Sequence, residues 1–176
     1  MKQIIAFAGS NSKNSINKQL AVYASSLVDN SEISILDLND FDLPIYSIDY
    51  ENKHGVPENA NKFLEHIRSS NGIIVSLAEH NGAYASVFKN LFDWMSRLES
   101  KTFLGKAMLL MATSPGGRGG QSVLNIASDR FPYHDANIVG KFSLPFFSTN
   151  FQNGKITNEA LNEQLVKKVK TFQNSL

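Results

Sequence analysis

Short runs of β-forming residues alternate along this chain with stretches in which apolar residues recur every three or four positions. That alternation predicts a parallel sheet covered by helices on both faces. Gln3–Ala8, Glu32–Leu36, Gly72–Leu77, Lys106–Ala112 and Asn137–Phe142 read as five strands. Helices are predicted from about Ser15 to Val28, with Ile16, Leu20, Tyr23, Ala24 and Leu27 inward, and from Pro57 to Ser70, with Ala60, Phe63, Leu64 and Ile67 inward. Further helices are expected over Val87–Leu98, Gln121–Phe131 and Asn158–Phe172, the last capped by Thr157 or Asn158 with Leu161, Leu165 and Val169 at core spacing. Lys89, Asp93 and Arg97, four apart, mark a solvated helix face. One stretch breaks the rhythm. Leu38–Val56, with Pro44, Tyr46, Tyr50 and His54, is too long for a routine connection, and reads as a lid over a site or a contact between subunits near Tyr46, Tyr50 or Trp94.

In open sheets of this kind ligands sit outside the carboxyl ends of the strands, where the strand order reverses. Three loops at that edge carry unusual chemistry. The run Gly9-Ser10-Asn11-Ser12-Lys13-Asn14-Ser15-Ile16-Asn17 joins a strand to a helix N-terminus and offers hydroxyls, amides and backbone N–H groups with no carboxylate, a combination that suits a phosphate. Ala78-Glu79-His80-Asn81-Gly82-Ala83-Tyr84 follows a buried strand, and its backbone near Gly82 can approach a planar ring, although an Asn-Gly turn that only reverses the chain is the simpler reading. Ser114-Pro115-Gly116-Gly117-Arg118-Gly119-Gly120 has more glycine than one turn needs, which favours a flat ligand or a moving lid. Together the loops describe a ligand with a phosphate at one end and a flat heteroaromatic at the other, and FMN has that shape.

Spacing excludes the common rivals. Gly9 has no glycine and lysine partners at the offsets of a nucleoside triphosphatase loop, and the run from Gly117 meets Ser122 where a dinucleotide fingerprint needs its third glycine. No G-x-S-x-G elbow is present. Composition narrows the field further. The 176 residues make about one domain, 42% hydrophobic and 19% charged, with 17 basic and 16 acidic residues, so neither nucleic acid nor an anionic membrane is an expected partner. The absence of cysteine removes thiol and disulfide chemistry, His66 and His134 lack neighbours at ligand spacing, and no metal is expected. No apolar run nears the roughly 20 residues of a membrane span, and a cytoplasmic protein is the simplest expectation.

The first loop resembles the G-S-x-R-x-x-S-x-N signature of the NADPH-dependent FMN reductases, a flavodoxin-like family. Ala78-Glu79-His80-Asn81-Gly82 through Lys89-Asn90-Leu91-Phe92-Asp93-Trp94 is similar to that family's P-E-Y-N-G…L-K-N-A-I-D-W signature, and the likeness covers nearly the whole chain. The resemblance implies a three-layer sandwich with one five-stranded parallel sheet in the order 2-1-3-4-5. It implies FMN and NADPH or NADH as cofactors, and hydride transfer through flavin N5 to a small-molecule acceptor such as free flavin, a quinone, an azo dye or a nitroaromatic. Carried over, Ser10, Ser12, Ser15, Ile16 and Asn17 hold the phosphate. Ala78, Glu79, His80, Asn81 and Gly82 line the ring edge, largely through main chain, and Ser114, Pro115, Gly116 and Gly117 lie near its other end. No side chain is assigned as catalytic. Arg118 is a candidate for a nicotinamide nucleotide phosphate, and a homodimer or homotetramer is expected.

Three positions depart from the pattern: Ser12 stands where the family has Arg, Ala78 where it has Pro and His80 where it has Tyr. The first removes a charge-assisted phosphate contact of roughly 1.5 to 3 kcal/mol. The rival reading is a flavodoxin-type electron carrier without nicotinamide activity. Carriers of that kind rely on an acidic face, and the balanced charge of this chain offers none.

Overall fold

A computed structural model describes residues 1–176. Its centre is a sheet of five parallel strands, β1 (Lys2–Gly9), β2 (Ser31–Leu36), β3 (Gly72–Leu77), β4 (Ala107–Thr113) and β5 (Asn137–Leu144), in the order β2-β1-β3-β4-β5. Five helices cover it: α1 (Ile16–Ser26), α2 (Glu58–Ser69), α3 (Ser86–Leu98), α4 (Gln121–Arg130) and α5 (Glu159–Asn174). This is the flavodoxin-like sandwich and strand order implied by the resemblance.

The strands are apolar on both sides because both sides are covered. On β1, Ile5 and Phe7 face α2, α3 and α4, whereas Ile4 and Ala6 face α1 and α5. The register is regular between β1 and β3, where Ile5 lies opposite Ile73 and Phe7 opposite Val75. Between β4 and β5 it slips by one residue after Met108. Boundaries differ slightly from the periodicity: β5 runs on to Leu144, and the helical turn after α4 tightens into a 3-10 segment, Phe131–His134, with Pro132 inside it. Asn158 is the cap of α5 and accepts from Leu161 N.

The long Leu38–Val56 segment is ordered against its own α3. It contains a 3-10 turn, Leu38–Asp40, and a short helix, Ile48–His54. Asn90 accepts from Tyr46 N at 2.8 Å and donates to Pro44 O at 3.0 Å, while Trp94 Nε1 donates to the same carbonyl at 2.7 Å. Tyr46 and Tyr50 pack edge-on against Trp94. Trp94 is 0% exposed, its indole consumed by this internal strap, so of the three aromatics expected near a subunit contact it has no surface to offer. Of the charged ladder on α3, Lys89 pairs with Asp93, but Arg97 reaches across to Glu51 of the strap.

Trp94→Phe is expected to destabilise the fold by about 1 to 3 kcal/mol in urea unfolding, through loss of the Pro44 hydrogen bond and of packed volume. An unchanged midpoint would show that the strap is held elsewhere.

Candidate functional site

All five strands end at one edge, and three of the loops that follow are brought together there. A groove of about 350 Å³ is lined by Ser10, Ser12, Asn14, Ser15, Ile16 and Asn17 from the first loop, Ala78, Glu79 and His80 from the second, and Thr113, Ser114 and Pro115 from the third. It lies over β1, β3 and β4, where the chain leaves β1 toward β2 on one side and β3 toward β4 on the other.

The first loop is folded by its own hydroxyls. Ser12 N donates to Ser10 Oγ at 3.2 Å, and Ser15 caps α1 by accepting from Lys18 N at 3.1 Å. Each serine keeps its own O–H to donate outward. The N–H groups of Ile16 and Asn17, in the first turn of α1, donate to nothing within the chain. One residue further along α1, Lys18 Nζ donates to Asp37, and that hydrogen bond with the one from Asn39 N holds the Asp37 carboxyl below its ordinary pKa.

Asn17 has a structural role besides the one carried over. Asn17 is 3% exposed and its side chain is engaged inside: Oδ1 accepts from Ser76 Oγ at 2.7 Å and from Thr113 N at 3.0 Å, and one of the two N–H groups of Nδ2 donates to Thr113 O at 3.2 Å. Its backbone N–H and the second N–H of Nδ2 have no acceptor within the chain. Thr113 Oγ1 in turn donates to Leu144 O at 2.7 Å, so one chain of hydrogen bonds joins α1, β3, β4 and β5.

In the second loop, Asn81 and Gly82 take φ of 51° and 74°, both left-handed, and close a two-residue hairpin in which Glu79 pairs with Tyr84 and His80 with Ala83. The simple reading of this turn is correct locally. Asn81 and Gly82 stand at its tip, outside the lining of the groove. Glu79 does more than present main chain: Oε2 accepts from Val123 N at 3.0 Å, at the first turn of α4, whose N-cap Gly120 has no side chain to offer. Tyr84, at the foot of the hairpin, has a buried hydroxyl without a partner, and burial pushes its pKa up to about 12.

The glycines of the third loop answer to packing. Gly119 and Gly120 have φ of 57° and 75°, and a Cβ on Gly120 would lie 2.7 Å from Ala112 Cβ, while one on Gly119 would collide with Ser143 Oγ. Gly117 lies under the Phe146 ring, whose residue is itself left-handed at φ 47°. Phe146 N and Phe147 N tie the loop down through Gly116 O and Ser114 O at 3.0 and 3.1 Å. The moving-lid reading gives way to a pinned loop; Gly116 alone faces open space, and neither it nor Gly117 lines the groove. Arg118 donates to Ser122 Oγ at 3.0 Å. His134 is held by Ser100 O and Arg130, and burial lowers its pKa. His66 packs edge-on to Phe41.

Asn14 and Thr113 line the groove although the motif comparison passed over them. Thr113 and Ser76 were visible as lone hydroxyls at the ends of otherwise apolar strands, and the missing polar cap before Gln121 called for an acceptor such as Glu79.

Comparison with known proteins decides the family. The model of the NADPH-dependent FMN reductases matches residues 2–149. The chain belongs to that family. It is thus an NAD(P)H-dependent oxidoreductase that uses FMN, as the resemblance implied. Among its relatives are a quinone reductase of Escherichia coli strain K12, 27% identical over 162 residues that cover 89% of this chain and 80% of the relative, and an NADPH azoreductase of Bacillus sp. strain OY1-2, 26% identical over 155 residues covering 87% and 84%. The solved structure of FerB, a flavoenzyme NAD(P)H:(acceptor) oxidoreductase from Paracoccus denitrificans, shares the fold with a TM-score of 0.78 at 23% identity, over 99% of this chain and 96% of that one.

Because the Asn17 amide is structural, Asn17→Ala should lower the stability of the ligand-free protein by about 1 to 3 kcal/mol, leaving Ser76 Oγ and Thr113 N buried without a partner. A variant that unfolds like the parent in urea but loses FMN would return Asn17 to the role of a direct phosphate donor.

Proposed function

We propose that the groove holds FMN with its phosphate on Ser10, Ser12, Ser15, Ile16 and Asn17, and its ring toward Ala78, Glu79 and His80 and toward Ser114 and Pro115, the tips Asn81–Gly82 and Gly116–Gly117 standing outside the lining. The protein then reduces quinones and azo compounds with NAD(P)H. The observation that carries the placement is the pair of unbonded N–H groups of Ile16 and Asn17, surrounded by serine hydroxyls at the open end of α1. The donors fit a dianion, and the one carboxylate lining the groove, Glu79, is held by Val123 N. The names of the relatives support the acceptor class.

Bound there, FMN supplies the hydride relay between nicotinamide and acceptor. The chain supplies position. Hydroxyls and amides of the first loop fix the phosphate, and main-chain groups of the second and third loops face the ring edge, where they stabilise charge that develops on reduction. The pinned third loop and the capped hairpin keep those groups in place without reorganisation. No side chain is needed as acid or base. We further propose that residues 1–176 act as one flavin-binding domain, in the cytoplasm, as a homodimer or homotetramer.

The test is to load the protein with FMN and add NADPH without air. Bleaching of the flavin, reversed by a quinone, is the expected result; a bound flavin that NADPH leaves oxidised would indicate an electron carrier instead. Binding adds a second check. FMN should bind more tightly than riboflavin, and Ser12→Arg should tighten FMN by about tenfold at low salt while leaving riboflavin unchanged, since a guanidinium adds charge-assisted bonds to the phosphate. Lys18 is already paired with Asp37 and Lys13 lines a neighbouring groove, so neither makes the new charge redundant. Equal effects on both flavins would remove the phosphate from this loop.

A further inference from the structure

Among the residues that line the groove, Glu79 and His80 are the ones whose side chains ionise near or below neutral pH. They are neighbours on the hairpin of the second loop, and the hairpin sends them opposite ways. Glu79 lies across from Tyr84, and His80 across from Ala83. Glu79 reaches Val123 N at 3.0 Å, while Tyr84 packs against Phe88 and Phe131, so their shared face turns toward α4 and the core. Successive strand residues point to opposite faces, which turns His80 and Ala83 outward, and both are exposed. No carboxylate in the chain pairs with His80. The other charges nearby stand off the groove wall: Lys18 is bonded to Asp37, Lys13 lines a neighbouring groove, and Arg118 is bonded to Ser122, beside which the hairpin tip at Gly82 lies. The imidazole of His80 is therefore the one side chain of the groove lining that can become a cation.

We infer that His80 sets the preference of the groove for reduced over oxidised flavin, acting as an imidazolium that offsets the charge the ring gains. This rests on the reading that FMN lies in the groove with its ring toward Ala78, Glu79 and His80. Hydride leaving the nicotinamide brings two electrons and one proton to flavin N5. The nicotinamide departs as a cation, and the ring is left with one negative charge spread over N1 and the C2 carbonyl. Oxidised FMN carries no charge on its ring, so a cation at the ring edge favours the reduced form and a neutral imidazole does not. The negative ring in turn holds the imidazole proton more tightly. The preference is thus complete at low pH and is lost as pH rises and the imidazolium of the reduced complex gives up its proton. The tyrosine that the family pattern has at this position stays neutral over the same range. His80 keeps its proton through the cycle, and the acceptor that takes the hydride from N5 draws its own proton from water.

The experiment is an anaerobic spectroelectrochemical titration of the FMN-loaded protein at about pH 6 and about pH 9, on either side of the ordinary titration of an imidazole. At the lower pH the parent is expected to have a midpoint potential about 30 mV above those of His80→Gln and His80→Tyr, equivalent to about a tenfold shift in the ratio of reduced to oxidised flavin affinity. At the higher pH the three should coincide. His80→Arg, charged throughout, should stay above both neutral variants at either pH. Position 80 is exposed, so all three variants are expected to fold and to keep their affinity for oxidised FMN within about twofold. Equal potentials for the parent and His80→Gln at the lower pH, with FMN bound, would overturn the role of His80 and leave the flavin reading intact. A gap of the same size at both pH values would overturn it too. Equal weakening of oxidised and reduced FMN in His80→Gln would do the same, placing the imidazole on the phosphate. Failure of the parent to bind FMN would overturn the flavin reading and the role of His80 with it.

Discussion

The buried carboxamide of Asn17 is the constraint on which the rest of this edge depends. A sheet of parallel strands has no covalent reason to bring its loops into one plane; each strand could end where its own helix begins. Here one side chain on the first turn of α1 satisfies a hydroxyl of β3 and both main-chain groups of Thr113 in β4. Because those groups are buried, leaving any of them unpaired would cost about 1 to 3 kcal/mol. The strand ends and the helix start are therefore held in one arrangement, and the open N–H groups beside Asn17 inherit that precision. Thr113 passes the constraint to β5 through Leu144.

Much of this was legible in the chain. Alternation of apolar runs and helical stripes implied covered parallel strands, and three loops at strand ends pointed to a ligand with a phosphate at one end and a flat ring at the other. What periodicity could not resolve was the direction of individual side chains. Asn17 and Ser15 are both polar residues at a helix start, yet one is turned into the core and the other caps the helix. The glycines of the third loop look alike in sequence, but Gly120 is required by contact with Ala112 and Gly116 meets nothing. Such distinctions depend on residues far away in the chain, which no local pattern records. The Leu38–Val56 strap shows the same limit of locality: its length was visible, whereas its attachment to Asn90 and Trp94 depends on the tertiary placement of α3.

Rigidity is distributed unevenly around the groove. The third loop is tied by Phe146 and Phe147, and the hairpin of the second is closed by a tight left-handed turn. The first loop is held mainly by serine hydroxyls. A groove built this way presents the walls from its second and third loops ready formed, and leaves adjustment to the small polar groups of the first, whose hydroxyl rotors turn easily.

The bond from Glu79 to the first turn of α4 has a consequence for how a ligand enters. The helices α1 and α4 both start at this edge, and each presents the positive end of its dipole. One already has a carboxylate from the neighbouring hairpin, and the other has only the neutral Ser15 cap. The groove thus has a head and a tail. A molecule with one charged end entering backwards would set like charges against each other, a penalty of about 4 kcal/mol at 4 Å in a medium of effective dielectric about 20. A single internal cap therefore makes the cleft directional, so that polarity, before any contact with the ring, decides which way round its occupant lies.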